Sequence, residues 1–196
     1  LKKEFPRYEY QKIRWEKSNK TNTGLAMQVE ALSQGLANAS FLAIPIFLIS
    51  VSPLSKLSTL EIVGFTIVIL SLVFETIADY QKLKFLKEMK RQNKQNIVCD
   101  VGLWKYTRHP NYFAEWMVWN GLIIASIPSY ISLFDSEALW LWIMIGVALL
   151  YTSRIMYITL VYLTGAVPSE YYSAQKRPAY KAYQQSTNIF FPGFKK

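Results

Sequence analysis

One cysteine, one histidine and eight glycines are all that the 196 residues hold of those types, and each scarcity closes off a class of chemistry. Cys99 has no second thiol with which to form an internal disulfide. With His109 the sole imidazole, no zinc set of Cys and His can be assembled, and no metal is expected. The glycines make neither a G-x-G-x-x-G turn opening a helix nor a G-x-x-x-x-G-K-[ST] loop, which excludes soluble nucleotide-binding domains of those two designs. Acidic residues are also scarce: 13 Asp and Glu stand against 22 Lys and Arg, for a net charge of +9. Internal repeats and low-complexity tracts are absent.

What is present is apolar and arranged in blocks. The chain is 52% hydrophobic and 15% aromatic, and four windows, roughly 35–52, 58–79, 112–134 and 138–164, have the length to cross hydrocarbon as helices. Pro45 falls in the first, where neighbouring helices can take up freed backbone groups. The expected fold class is an all-α polytopic membrane protein with about four transmembrane helices. Seven basic residues lie in 1–20, eight in 82–108 and six from Arg154 onward, leaving only Lys56 on the opposite side. Both termini and the central loop are therefore expected on the inside face.

The organisation read from this is a basic amphipathic leader over 1–34, a four-helix membrane domain over 35–164 with an inner loop at 80–111, and a basic aromatic tail over 165–196. Tyr80 to Arg91 suggests a helix leaving along the membrane surface, and Ser18 to Gly24 a polar loop. Beside four spans, the basic face reads as the positive-inside signal and an attraction to anionic lipid or phosphate, with no nucleic acid partner expected. The sequence begins at Leu1, and Leu1 to Lys20 resembles neither a signal nor a transit peptide, so an upstream portion is expected.

Polar chemistry gathers between Gly102 and Trp116. Arg108 brings fixed charge and His109 switchable charge; Pro110 sets a helix start, and Asn111 and Glu115 then share one helical face. The constellation reads either as a ligand grip or as an interfacial Arg-His anchor. Ionisable groups inside spans cost ~2.5–3.5 kcal/mol and ask for partners. Glu75 and Asp79, four residues apart, would repel unless a cation or ligand sits between them. Arg154 could snorkel or pair with Glu115 or Glu75, whereas Glu61, near the outer end of its span, is expected to be solvated. Glu75, Asp79, Arg108, Asn111 and Glu115 are thus expected to meet in one inner polar pocket, with His109 and Arg154 in support. The aromatics from Trp104 to Trp119 read mostly as interface belt.

The run Ala78-Asp79-Tyr80-Gln81 followed by Asp100-Val101-Gly102-Leu103-Trp104-Lys105-Tyr106-Thr107-Arg108-His109-Pro110-Asn111-Tyr112-Phe113-Ala114-Glu115-Trp116 resembles the steroid 5α-reductase-like family, in its broad and poorly characterised branch. Pro6-Arg7-Tyr8 with Arg14, Thr164-Gly165, Pro168, Glu170, Tyr180, Tyr183, Thr187 and Phe190-Phe191-Pro192 extend the likeness over nearly the whole chain. Arg108-His109-Pro110 alone is also shared with distant isoprenylcysteine and phospholipid methyltransferases. The resemblance implies an NADPH site to which Asp79, Tyr106, Arg108, Asn111 and Glu115 correspond by motif position, and hydride transfer to a polarised double bond. Two departures stand out. Ala114 occupies a position that is commonly glycine, and the tail lacks a His-rich arginine segment found in better-known steroid reductases. The family also carries further helices, ahead of the matching region, that supply the groups gripping the substrate carbonyl, so the catalytic residues are unknown from this chain.

The first expectation is therefore a membrane-embedded, NADPH-dependent reductase of a carbon–carbon double bond in a lipid or steroid-like substrate, in the endoplasmic reticulum or the mitochondrial inner membrane. The second is methyl transfer from S-adenosylmethionine to a lipid or prenylated acceptor. The third is a non-catalytic membrane subunit of a larger assembly, such as a mitochondrial respiratory complex, built on a reductase-like scaffold. The longer Asp79 and Asn111 to Trp116 motifs favour the first over the second; Ala114 and the long polar ends favour the third.

Overall fold

A run of Leu, Ile, Val and Phe can satisfy its backbone in hydrocarbon only by coiling, because lipid offers no partner to a bare N–H or C=O. The computed structural model, which describes residues 6–18 and 22–195, contains helices and loops and no strand among the described residues. The helices are α1 (Pro6–Lys17), α2 (Thr23–Ala37), α3 (Ala43–Ser50), α4 (Thr59–Arg91), α5 (Pro110–Ser132), α6 (Leu139–Ile158), α7 (Ala166–Lys176) and α8 (Tyr180–Ser186). Segments of π-helix at Asn38–Leu42 and Thr159–Leu163 join α2 to α3 and follow α6. Four stretches have the length and composition of membrane spans: Thr23–Ser50, Thr59–Arg91, Pro110–Asp135 and Leu139–Lys176. They leave Leu70 63% and Leu150 77% exposed, an outward apolar surface that suits lipid and would be a liability in water. The protein is an all-helical integral membrane protein.

Three elements differ from the sequence reading. The first span begins at Thr23, so the expected boundary at residue 34 falls inside a helix. Gln28, Glu30, Ser33 and Gln34 lower the hydropathy there, yet the helix satisfies some of them itself: Gln34 donates to Glu30 Oε1 at 3.2 Å and Ser33 to the Val29 carbonyl at 2.7 Å. Second, α4 continues as one helix of 33 residues, about 50 Å at 1.5 Å per residue, and so outruns a hydrocarbon core of about 30 Å with Tyr80–Arg91 as its extension. Third, Glu61 is not solvated. It is 3% exposed and closes a capping box: its carboxylate accepts from the Ser58 N–H at 2.7 Å while Ser58 Oγ accepts from the Glu61 N–H at 3.2 Å. Of the expected leader and polar loop, residues 1–5 and 19–21 lie outside the described residues.

The chain divides into two compact units, Leu1–Val68 with Val118–Tyr157, and Ile69–Met117 with Ile158–Lys196. In the first, a Cβ placed on Gly64 would lie 2.5 Å from the Ala125 nitrogen and 2.6 Å from the Gly121 carbonyl oxygen. The α4 and α5 backbones therefore touch, as membrane helices do when small residues let van der Waals packing hold them. Tyr130 stacks on Trp142 at 4.7 Å, and the indole N–H donates to the Tyr130 carbonyl at 3.1 Å. Thr152 donates to the carbonyls of Ala148 and Phe41, at 2.8 and 2.9 Å. Phe41, Ile44, Leu141, Met144 and Tyr151 line an apolar groove of about 610 Å³. The polar side chains read from the sequence as a site belong to the second unit, Arg154 excepted.

Candidate functional site

The second unit is built around the loop that leads into α5. Gly102 takes a φ of +56°, a left-handed conformation that glycine adopts without penalty, and Gln81 Oε1 accepts the neighbouring Leu103 N–H at 2.8 Å. Trp104, 3% exposed, donates its indole N–H to the Ala78 carbonyl at 2.8 Å, which ties the loop to α4. The loop then runs beside the tail: the Arg108 N–H donates to the Asn188 carbonyl at 2.9 Å, Gly193 to the Tyr106 carbonyl at 3.0 Å, and the Thr107 hydroxyl to Phe190 at 2.9 Å. Tyr183 donates its hydroxyl to the Trp104 carbonyl. Phe74, Phe113, Trp116, Phe190 and Phe191 fill the space beneath in edge-to-face and tilted contacts about 6 Å apart, a geometry favoured by the ring quadrupoles.

At the centre lies a buried charge network. The Arg108 guanidinium grips Glu170 with two bonds, Nε to Oε1 at 2.7 Å and Nη2 to Oε2 at 3.0 Å. Its Nη1 donates to the carbonyls of Gln184 and Thr187 at 2.9 and 2.5 Å. Glu170 also accepts from the Gln184 amide at 2.7 Å and meets His109 Nε2 at 3.0 Å. Burial holds the His109 imidazole below its ordinary pKa despite the opposing pull of Glu170. Neutral, the ring suits the tautomer in which Nε2–H donates to the carboxylate, and it stacks flat on Tyr112 at 5.2 Å. Burial raises the phenols of Tyr180 and Tyr183, so both stay protonated. It likewise raises the Cys99 thiol, with Lys82 opposing the shift, and leaves no activated nucleophile there.

A second polar group lies on α4 and the first turns of α5. Glu75 and Glu115 are half-buried, and Glu75 feels the charges of Asp79 and Glu115 feels Glu75. One turn before Glu115, Asn111 holds a buried Oδ1 with no hydrogen-bond partner. A buried carbonyl without a donor is costly, and it is what a ligand hydroxyl or amide N–H would satisfy. Among the described residues no group of His, Cys, Asp and Glu could hold a metal ion.

With this geometry in place, comparison with known families shows that the model for a family described as Protein of unknown function (DUF1295) covers residues 2–187. The chain belongs to the DUF1295 family. No curated protein and no solved structure matches it.

In this DUF1295 protein the expected single pocket divides in two. Glu75, Asp79, Asn111 and Glu115 occupy the α4 and α5 surfaces just described, with Asp79 exposed. Arg108 turns instead to Glu170, not to Glu115, and four of its five N–H donors are consumed inside the protein. The guanidinium assigned by motif to phosphate is a tie between the loop and the tail. Tyr106 is 44% exposed, its ring edge-on to Phe194 at 6.4 Å. Arg154 is exposed on α6 in the first unit. Sequence reasoning did not single out Glu170 and Gln184 as members of the network. One signal was available: Glu170 is the only carboxylate between Arg154 and the last residue, among six basic side chains.

Proposed function

We propose that the protein is a membrane-embedded reductase that uses NADPH to saturate a carbon–carbon double bond in a lipid or steroid-like substrate. The motif that resembles steroid 5α-reductases lies wholly within the family match, and the observation that carries the reading is the orphaned Asn111 Oδ1 beside Glu115. An amide acceptor and a carboxylate one turn apart, at the start of a membrane helix, fit the ribose hydroxyls and carboxamide of a dinucleotide. Asn111 and Glu115 would hold and orient the cofactor, with Tyr106 and Asp79 at the exposed margin. Bound there, the cofactor supplies a hydride. The protein's own contribution is positioning, together with a half-buried wall that keeps water from the reacting carbon. Arg108 has no role in gripping phosphate here; it fixes the loop that presents Asn111. An inside face shared by both termini and a place in the endoplasmic reticulum or mitochondrial inner membrane belong to the same proposal.

The closed Arg108–Glu170 network favours one rival, a membrane subunit that keeps the reductase scaffold for its shape and docks other subunits. Titration of NADPH and of S-adenosylmethionine into the full chain in nanodiscs separates the readings. Saturable NADPH binding, weakened about ten-fold or more by Asn111→Leu, is expected. Binding of S-adenosylmethionine alone would establish the methyltransferase reading, and binding of neither, with other membrane subunits co-purifying in fixed ratio, the subunit reading.

A further inference from the structure

The apolar groove of the first unit has a construction that an ordinary lipid-facing surface lacks. Pro45, buried in α3, has no N–H to offer the Phe41 carbonyl four residues before it, and that carbonyl accepts the Thr152 hydroxyl of α6 at 2.9 Å. The π-helical turn Asn38–Leu42, a form that recurs at functional sites, carries Phe41 to the same place, where its ring meets Tyr151 edge to face at 5.4 Å. Two elements are thereby tied at one end and leave about 610 Å³ between them, within the size of small-ligand sites. None of the nine side chains that line it carries a charge, and Tyr151 brings the only hydroxyl. Every lining residue belongs to the first unit.

Its position along α6 fixes its depth. Leu141 stands two residues past the start of the helix at Leu139, after the exposed polar turn of Asp135, Ser136 and Glu137 and beside an exposed Trp140, residue types that mark a membrane edge. From Leu141 to Tyr151 is ten residues, about 15 Å of rise, and half of a hydrocarbon core of about 30 Å is the same length. The groove runs from the edge of the bilayer to its midplane, with the Phe41–Tyr151 contact at the deep end. Ile143, Met144 and Val147 are exposed along its rim, which makes it continuous with the outward apolar surface that meets lipid. A partner helix fits it less well: membrane helices pack through Gly, Ala and Ser, and here Ala148 is the one small residue of the lining. A nucleotide would bring polar atoms that these walls cannot satisfy. We propose that the groove binds one acyl chain of a phospholipid from the leaflet at the 135–137 turn, with the methyl end of the chain against Phe41 and Tyr151. The proposal does not depend on the reductase reading.

The test uses the full chain in phosphatidylcholine nanodiscs, with a diazirine placed either at the methyl end or near the carboxyl of an acyl chain, and maps the cross-linked residues by mass spectrometry. Labelling over residues 141–151 should exceed that of the plain lipid-facing surface at Ile69, Leu70 and Val73 several-fold. The methyl-end probe should mark Phe41 and Tyr151, and the carboxyl-end probe Leu141 and Met144. Ala148→Phe and Met144→Trp, which fill the groove from its buried wall and from its rim, should each abolish the excess, whereas Leu150→Phe, outside the lining and exposed, should keep it. Labelling no greater than at Leu70, or the same residues marked by both probes, overturns the proposal. So does an excess that survives both filling variants. A groove covered by a helix would show less label than Leu70 and, where the helix comes from a second copy, a disulfide between chains carrying Met144→Cys in liposomes; either result overturns the proposal. If the filling variants do not fold, the depth pattern in the wild type decides alone.

Discussion

The two units of this chain solve the same problem, cohesion of helices in or beside lipid, by opposite means. In the first, backbones meet at Gly64 and Gly121, aromatic rings stack, and hydrogen bonds such as Thr152 to Phe41 and Ser58 to the Glu61 carboxylate join single pairs. In the second, a buried arginine, a carboxylate, a histidine and an amide join a loop to a tail distant from it in sequence. Small-residue packing has no charged component to disturb. A buried charge network is different: it stabilises little beyond an apolar core of the same volume, but loss of one member strands the rest. The contrast says where the protein places its uncompromising geometry. It is spent on presenting the start of α5.

The comparison is broken most severely at Glu170. Glu170→Ala leaves Arg108, His109 and Gln184 without their common acceptor and is expected to destabilise the second unit by ~3–5 kcal/mol, the usual cost of stranding a buried charge. Limited proteolysis should then cut within residues 166–195 while the spans of the first unit stay resistant. Uniform resistance in both units would contradict the assignment. In the first unit the matching blow is Gly64→Val. Its Cβ meets backbone rather than a yielding side chain, so a loss of about 1–3 kcal/mol in thermal unfolding is expected, without new cleavage in the tail.

Smaller effects sharpen the same contrast. Ser58→Ala removes one half of the capping box and should cost ~1 kcal/mol, read as a lower unfolding midpoint. His109 gives the second unit a pH dependence. Because burial depresses its native pKa, the unfolded chain binds the proton more tightly. The contribution is therefore complete above an unfolded pKa of about 6.5 and declines as the pH falls below it toward the native value. Unfolding midpoints between pH 7.5 and 5 should fall for the wild type more steeply than for His109→Gln.

Much of the first unit was legible in the sequence, because spans are written as length and hydropathy and those are local properties. The differences there are local too: Ser58-x-x-Glu61 is a capping signature that buries its carboxylate, and four polar residues lower the hydropathy near the start of α2. The second unit was legible only in part. Arg108, His109, Asn111 and Glu115 declare themselves by proximity in one motif. The partner of Arg108 lies 62 positions further on, and spacing along one helix carries no information about a carboxylate on another. The likeness to a known family supplied roles by motif position, but only the fold shows that a guanidinium is already occupied. Lys82 is one of several lysines in Tyr80 to Arg91; its place over Trp104 depends on a loop whose course no periodicity reveals.

The reductase account is tested most directly by following the hydride. The full chain in nanodiscs, supplied with lipid extracted from its source membrane and with NADPH deuterated at both C4 positions, should transfer one deuterium to a lipid carbon as NADP⁺ forms. A solvent proton adds to the neighbouring carbon, so one double bond is lost for each deuterium gained, and Asn111→Leu should reduce the yield at limiting NADPH. Lipid that remains free of deuterium at NADPH concentrations that saturate binding, or an extract reduced without label, would contradict the account.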